Sequence, residues 1–85
     1  MVTVLYFASL REKLGCGREQ MALPPVSAPT VQALVEALRS REGPWPDAFS
    51  QGKPWRVAVN QQMADLATPL KPGDEIAFFP PVTGG

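Results

Sequence analysis

Lys71-Pro72-Gly73-Asp74-Glu75-Ile76-Ala77-Phe78-Phe79-Pro80-Pro81 contains a turn, a strand and a stop in one short stretch. Pro72 and Gly73 stand where a type II turn needs a fixed φ followed by a positive one. The run from Glu75 to Phe79 then reads as a strand, and it ends at Pro80 because proline has no N–H to give to a ladder. Neighbours in a strand point to opposite faces, so Phe78 and Phe79 divide between core and surface.

The other end of the chain is built in the same way. Val2-Thr3-Val4-Leu5-Tyr6-Phe7 is rich in β-branched and aromatic residues and reads as a strand within Met1 to Ala8. Its alternation puts Val2, Val4 and Tyr6 on one face and Thr3, Leu5 and Phe7 on the other. Ser9-Leu10-Arg11-Glu12 matches a capping box, with Gly15 as the stop of a short helix. Arg18 to Leu23 is a second strand, ended by Pro24-Pro25. Thr30 caps the main helix, whose stripe is Val31, Leu34, Val35 and Leu38, and Gly43-Pro44 is read as its end. Pro44 to Pro54 reads as an irregular connection whose aromatics, with Trp55, cover a core edge. Trp55 to Asn60 is a third strand, followed by a polar turn at Asn60-Gln61-Gln62. The two most apolar strands are the first and the last, which places them side by side in the centre. Strand, strand, helix, strand, strand with short connections predicts an α+β chain: a mixed sheet packed on one main helix, as in the β-grasp or ubiquitin-like fold.

Composition narrows the function. The 85 residues are read as one domain, 1–85, with a thin flexible tail from about Pro80 to Gly85. Basic and acidic residues number 8 each, so no basic field is present to hold nucleic acid. No apolar run approaches a membrane span and no signal core follows the N-terminus, so no membrane role and a cytoplasmic location are expected. The chain holds one cysteine, Cys16, and no histidine, which leaves no metal site and no Cys-His nucleophile in it. It is not expected to be catalytic alone.

The last residues, Val82-Thr83-Gly84-Gly85, form a thread without bulk at its tip. Two glycines fit a channel too narrow for any side chain, and the one reactive group there is the α-carboxylate of Gly85. Extended at ~3.3 Å per residue, the segment from Pro80 reaches about 20 Å. Pro80 and Pro81 hold its base extended and reduce the entropy lost on insertion.

The set Val4-Leu5-Tyr6-Phe7-Ala8, Leu10-Arg11-Glu12, Gly15, Val59-Asn60-Gln61 and Gly73 through Gly85 closely resembles the small, sulfur-carrier subunits of molybdopterin synthase. The resemblance implies a ubiquitin-like carrier in molybdenum cofactor biosynthesis. Gly85, preceded by Gly84, is then adenylated by a ubiquitin-activating-like adenylyltransferase that consumes ATP. A sulfur donor protein converts the adenylate to a thiocarboxylate. The large subunit of the synthase receives the tail, and the sulfur passes to cyclic pyranopterin monophosphate to build the dithiolene. No cofactor is expected on the chain itself. The resemblance further implies partner contacts at Phe7, Met63 and Phe79, continuing through Pro80, Pro81, Val82 and Thr83. Core or core-edge positions for the first three remain open at this point. Also open are a carrier for thiamine or tRNA thiolation, and a ubiquitin-like modifier joined to lysines through Gly85. Cys16 is read as an incidental loop thiol, and Asp74-Glu75 either as a solvated turn or as a contact for basic groups of a partner.

Overall fold

The structure is a computed structural model that describes residues 1–50 and 55–80. In chain order the elements are β1 (Val2–Tyr6), α1 (Ala8–Leu14), β2 (Arg18–Met21), α2 (Val31–Arg39), α3 (Trp45–Ala48), β3 (Arg56–Val59), β4 (Gln62–Ala64) and β5 (Glu75–Phe79). The sheet runs β2-β1-β5-β3-β4. β1 and β5 are its parallel centre, with Val4 beside Ile76 and Tyr6 beside Phe78. The other pairings, β1 with β2, β3 with β5 and β3 with β4, are antiparallel. This is the expected α+β β-grasp with its mixed sheet.

One face of the sheet is dry. Val2, Val4, Tyr6, Ile76, Phe78 and Val57 are buried against Leu34, Leu38 and Val35 of α2 and Leu10 and Leu14 of α1. The helical stripe is the one the apolar spacing selects. Thr30 caps α2 by accepting a hydrogen bond from the Ala33 N–H at 3.4 Å, and carbonyls of Thr68 and Leu66 take the Val31 and Gln32 N–H groups. The Val31, Gln32 and Ala33 N–H groups, three of the first turn's four orphan donors, therefore have partners.

Several local expectations change. Ser9 does not cap α1; it lies inside it, with Phe7 at the N-cap and no side-chain cap bond. The chain leaves β1 through a left-handed residue, Ala8 at φ 52, so the helix begins before a Ser9 cap is possible. The Phe7 carbonyl accepts from Leu10 N–H at 3.1 Å instead. Gly15, at φ 69, does end the helix in the left-handed region. α2 stops at Arg39, short of Gly43-Pro44. Within the connection read as irregular, Trp45–Ala48 forms α3, with a proline in its first turn, where a missing N–H costs nothing.

The sheet holds one strand more than the four read from sequence. Gln62–Ala64 is β4, which returns along β3 after a two-residue turn with Asn60 at φ 52 and Gln61 at φ 68. Positive φ at both central residues matches the right-handed twist of a hairpin, and asparagine tolerates it better than most residues. The turn before β5 has the expected geometry: Gly73 lies at φ 90 and the Asp74 N–H donates to the Lys71 carbonyl at 3.2 Å. Among the described residues no helix is long and apolar enough to cross a membrane.

Candidate functional site

The face of the sheet away from the helices carries the candidate site. Strand register assembles it. Leu5 of β1 lies beside Ala77 of β5, Ala77 beside Ala58 of β3, and Ala58 beside Met63 of β4. On the other flank Leu5 faces Arg18 of β2. One row of side chains thus crosses all the strands. Its middle is two alanines, so the larger Leu5 and Met63 stand at the sides.

The next row toward the tail is aromatic. Phe79 pairs with Arg56 of β3, and Phe7 follows Tyr6, the partner of Phe78. The Phe7 N–H donates to the Phe78 carbonyl at 3.1 Å, which carries the β1–β5 pairing past the strand's end. Phe7 is 47% exposed and Met63 62% exposed; Phe79 is half-buried. Sequence left these three open between core and surface. Phe7 and Met63 lie at the surface, and Phe79 shares their face while Phe78 points into the core. Pro80 follows at the end of β5 and is half-buried. Pro81, Val82, Thr83, Gly84 and Gly85 lie outside the described residues.

What fixes the tail's base is underneath. Phe78 is fully buried and sits among Tyr6, Phe49 and Trp55, at ring-centroid distances of 6.2, 5.1 and 5.4 Å. Trp45 packs on Tyr6 at 5.3 Å and on Phe49 at 6.2 Å. Of the aromatics read as covering a core edge, Trp45 and Trp55 are partly buried and pack against the core as expected, whereas Phe49, 1% exposed, is part of it. Each such edge-on or stacked pair adds about 0.5–1.5 kcal/mol beyond area burial. The last strand is thereby held at the residue before Phe79 and Pro80.

A polar network closes the open side of this cluster. The Tyr6 hydroxyl donates to Glu19 at 2.9 Å, and Arg41 donates to both Glu19 carboxylate oxygens at 2.8 Å each. The Arg41 guanidinium also lies 4.5 Å over the Trp45 ring. Burial, helped by the hydrogen bond to Glu19 and its charge, pushes the Tyr6 phenol far above its ordinary range. Arg41 holds the Glu19 carboxyl below its usual value, against its partial burial. Both groups keep one charge state near neutrality, so this network is a fixed brace and not a proton relay.

Asp74 is the one fully buried charge among the described residues, and its position corrects the reading of a solvated or partner-facing turn. It is 3% exposed, accepts from Asn60 Nδ2 and from the Lys71 N–H at 2.9 Å each, and has Lys71 Nζ at 3.6 Å. Burial alone would raise its pKa; the bonds from Asn60 and Lys71 and the lysine charge outweigh it and hold the carboxyl below its ordinary value. Asn60 also accepts from the Glu75 N–H at 3.0 Å, so the two turns flanking β5 and β3 are tied together. Cys16 is half-buried and its thiol donates to the Arg18 carbonyl at 3.4 Å. Among the described residues no three metal-ligating side chains converge.

Ala58, Ala77, Arg18 and Arg56 were not singled out by sequence reasoning as parts of this face. Alternation from an inward Phe78 already places Ala77 outward, but only the register shows which residues of β2, β3 and β4 lie beside it.

Similar proteins share this architecture. Residues 4–85 match the ThiS family. The molybdopterin synthase sulfur carrier subunit of Escherichia coli is 42% identical over 85 residues, covering 100% of both chains. Among solved structures, SAMP1 from Haloferax volcanii superposes with a TM-score of 0.77 at 27% identity, covering 99% of this chain and 98% of that one. The complex of subunits 1 and 2 of the molybdopterin-converting factor from Helicobacter pylori contains a chain that matches with a TM-score of 0.66 at 29% identity, covering 99% of this chain and 97% of that one.

Proposed function

This chain belongs to the ThiS family, and from that premise we propose that it is the sulfur carrier of a molybdopterin synthase. The observation that carries this reading is the full-length identity to the Escherichia coli carrier subunit. The reacting group is the α-carboxylate of Gly85.

A carboxylate resists nucleophilic attack because the incoming electrons would add to an anion. Activation removes that barrier. A carboxylate oxygen attacks the α-phosphorus of ATP in the site of a ubiquitin-activating-like adenylyltransferase, and pyrophosphate leaves. Sulfur supplied at the sulfide level by a donor protein then adds to the acyl carbon, and AMP leaves. The terminal thiocarboxylate is a polarisable sulfur nucleophile, comparable to a thiolate. Within the large subunit its sulfur attacks a carbon of cyclic pyranopterin monophosphate, and an oxygen group leaves that carbon. Water then cleaves the acyl carbon–sulfur bond, which leaves the sulfur on the pterin and returns the Gly85 carboxylate. Two rounds supply the two dithiolene sulfurs. Gly84 and Gly85 bring no side chain to the reacting carboxylate, and on this reading the channel and the acid and base groups of each step belong to the partners.

The described residues support this division of labour. The carrier offers a rigid apolar face, Leu5, Phe7, Met63 and Phe79, beside the strand end from which the tail departs. The Helicobacter pylori complex of subunits 1 and 2 supports a large subunit as one partner of the chain. The test is intact mass after incubation with the cognate activating enzyme, ATP and a sulfur donor. A gain equal to one oxygen replaced by sulfur, mapped to Gly85, is expected. No gain, with the activating enzyme working on another carrier, contradicts the proposal.

The likeness to the small archaeal modifier protein 1 favours a second use. The same adenylate could pass the Gly85 acyl group to lysines of other proteins. Lysine-linked adducts in cell extract would support that use, and their absence from an extract competent for thiocarboxylation would dismiss it.

A further inference from the structure

Two arginines flank the docking face. Arg18 ends the Leu5-Ala77-Ala58-Met63 row on β2, and Arg56 lies beside Phe79 on β3. Both are exposed. Among the described residues neither joins an ion pair, whereas Lys13 pairs with Asp47, Arg41 with Glu19 and Lys71 with Asp74. The carboxylate that shares their face is Glu75, beside Thr3 at the end remote from the tail. A chain with no net charge thus presents a locally cationic face on the side where Pro80 leaves the sheet.

We propose that the protein surface receiving this face is apolar at its centre and carries carboxylates at two flanking positions, engaged by Arg18 and Arg56. This inference rests on the sulfur-carrier reading. The spacing follows from the register. Arg18 and Arg56 are separated by three interstrand steps of about 4.8 Å and by two residues along the strands, which places their backbones about 16 Å apart. Arginine suits the role because its planar fork binds a carboxylate bidentately while its stem covers apolar surface.

The pair supplies what the apolar row lacks. Apolar contact is non-directional, so the row and the two phenylalanines leave the partner free to rotate in the plane of the sheet. Two unequal charge contacts, one next to the tail base and one across the sheet, remove that freedom. Orientation matters because a tail must meet the mouth of its channel. Two exposed arginines are too few to hold nucleic acid, and an apolar row between them fits a protein surface. Charges of this kind act chiefly on association rate, salt dependence and register.

The test uses the full chain and its cognate synthase large subunit, with association followed by stopped flow across a range of salt. The variants are R18E/R56E and, as a single reversal on the helical layer, Arg39→Glu; circular dichroism checks their folding. For the double variant we expect an association rate about tenfold lower at low salt and a flattened salt dependence, with R39E close to the parent. Parent-like rates and salt dependence for R18E/R56E would overturn the inference and leave the carrier reading standing. Failure of the parent chain itself to bind would overturn the large-subunit reading on which the inference rests.

Discussion

Replacing Asp74 by alanine removes the one carboxylate among the described residues that exposes less than a tenth of its surface. Its oxygens accept from Asn60 Nδ2 and the Lys71 N–H, both at 2.9 Å. Hydrogen bonds to a charged group are each worth about 1.5–3 kcal/mol net. The low end applies here, because Asn60 and Lys71 are themselves exposed and water can replace part of what they lose. The expected loss is therefore about 3 kcal/mol, which for a domain of this size lowers Tm by roughly 12–24 °C. Acid should narrow the difference. The folded carboxyl titrates below its ordinary value, so the unfolded chain takes up the proton first as pH falls. The Asp74 contribution is complete above the unfolded value of about 3.9 and is lost as pH drops through the lower folded value. Urea unfolding of the parent and D74A chains at neutral pH and at successively lower pH measures this directly. A gap below about 0.5 kcal/mol at neutral pH, or one that does not narrow on acidification, would refute the clamp.

Further expectations rest on other parts of the molecule. Phe49→Ala empties the centre of the aromatic cluster and should cost about 3–5 kcal/mol in urea unfolding, with a loss of near-ultraviolet dichroism. Gly73→Ala meets no atom within 4 Å of the added carbon but sits at φ 90; conformation alone should cost about 1 kcal/mol, and a neutral result would remove the left-handed requirement. Met63→Asp places a charge on the exposed outer row; binding to the large subunit should weaken at least about tenfold while thermal stability stays within about 0.5 kcal/mol of the parent. Gly85→Phe should abolish thiocarboxylation with urea stability unchanged, and equal loading of that variant would sink the narrow-channel reading.

The layers were legible where local pattern and burial agree. Val31, Leu34, Val35 and Leu38 repeat at helical spacing and are buried, and the apolar first and last strands do lie at the centre. β4 escaped because Gln62-Met63-Ala64 is only three residues long and opens on a glutamine read as part of the preceding turn; its identity as a strand comes from pairing with β3, which no local window contains. α3 escaped because prolines at 44 and 46 read as breakers, although a proline in a first helical turn is tolerated. Ser9 failed as a cap because Ala8 turns the chain one residue earlier than the motif assumes. The braces were invisible for a different reason. Glu19 meets Arg41 across 22 positions and Asn60 meets Asp74 across 14, and such pairs exist only once the sheet has set the register. Of the candidate site, alternation set Phe7 opposite Tyr6 and Phe79 opposite Phe78 but left open which of each faces outward, while the row through Ala58 and Met63, and the arginines beside it, needed the strand order.

Sulfur transfer tests the proposed role most directly. The chain carrying a Gly85 thiocarboxylate is mixed with the synthase large subunit and cyclic pyranopterin monophosphate, and its intact mass is followed with time alongside dithiolene formation. The mass is expected to fall back to that of the carboxylate as the dithiolene appears. Retention of the sulfur, under conditions in which the thiocarboxylated Escherichia coli carrier discharges, would contradict a role in molybdopterin synthesis.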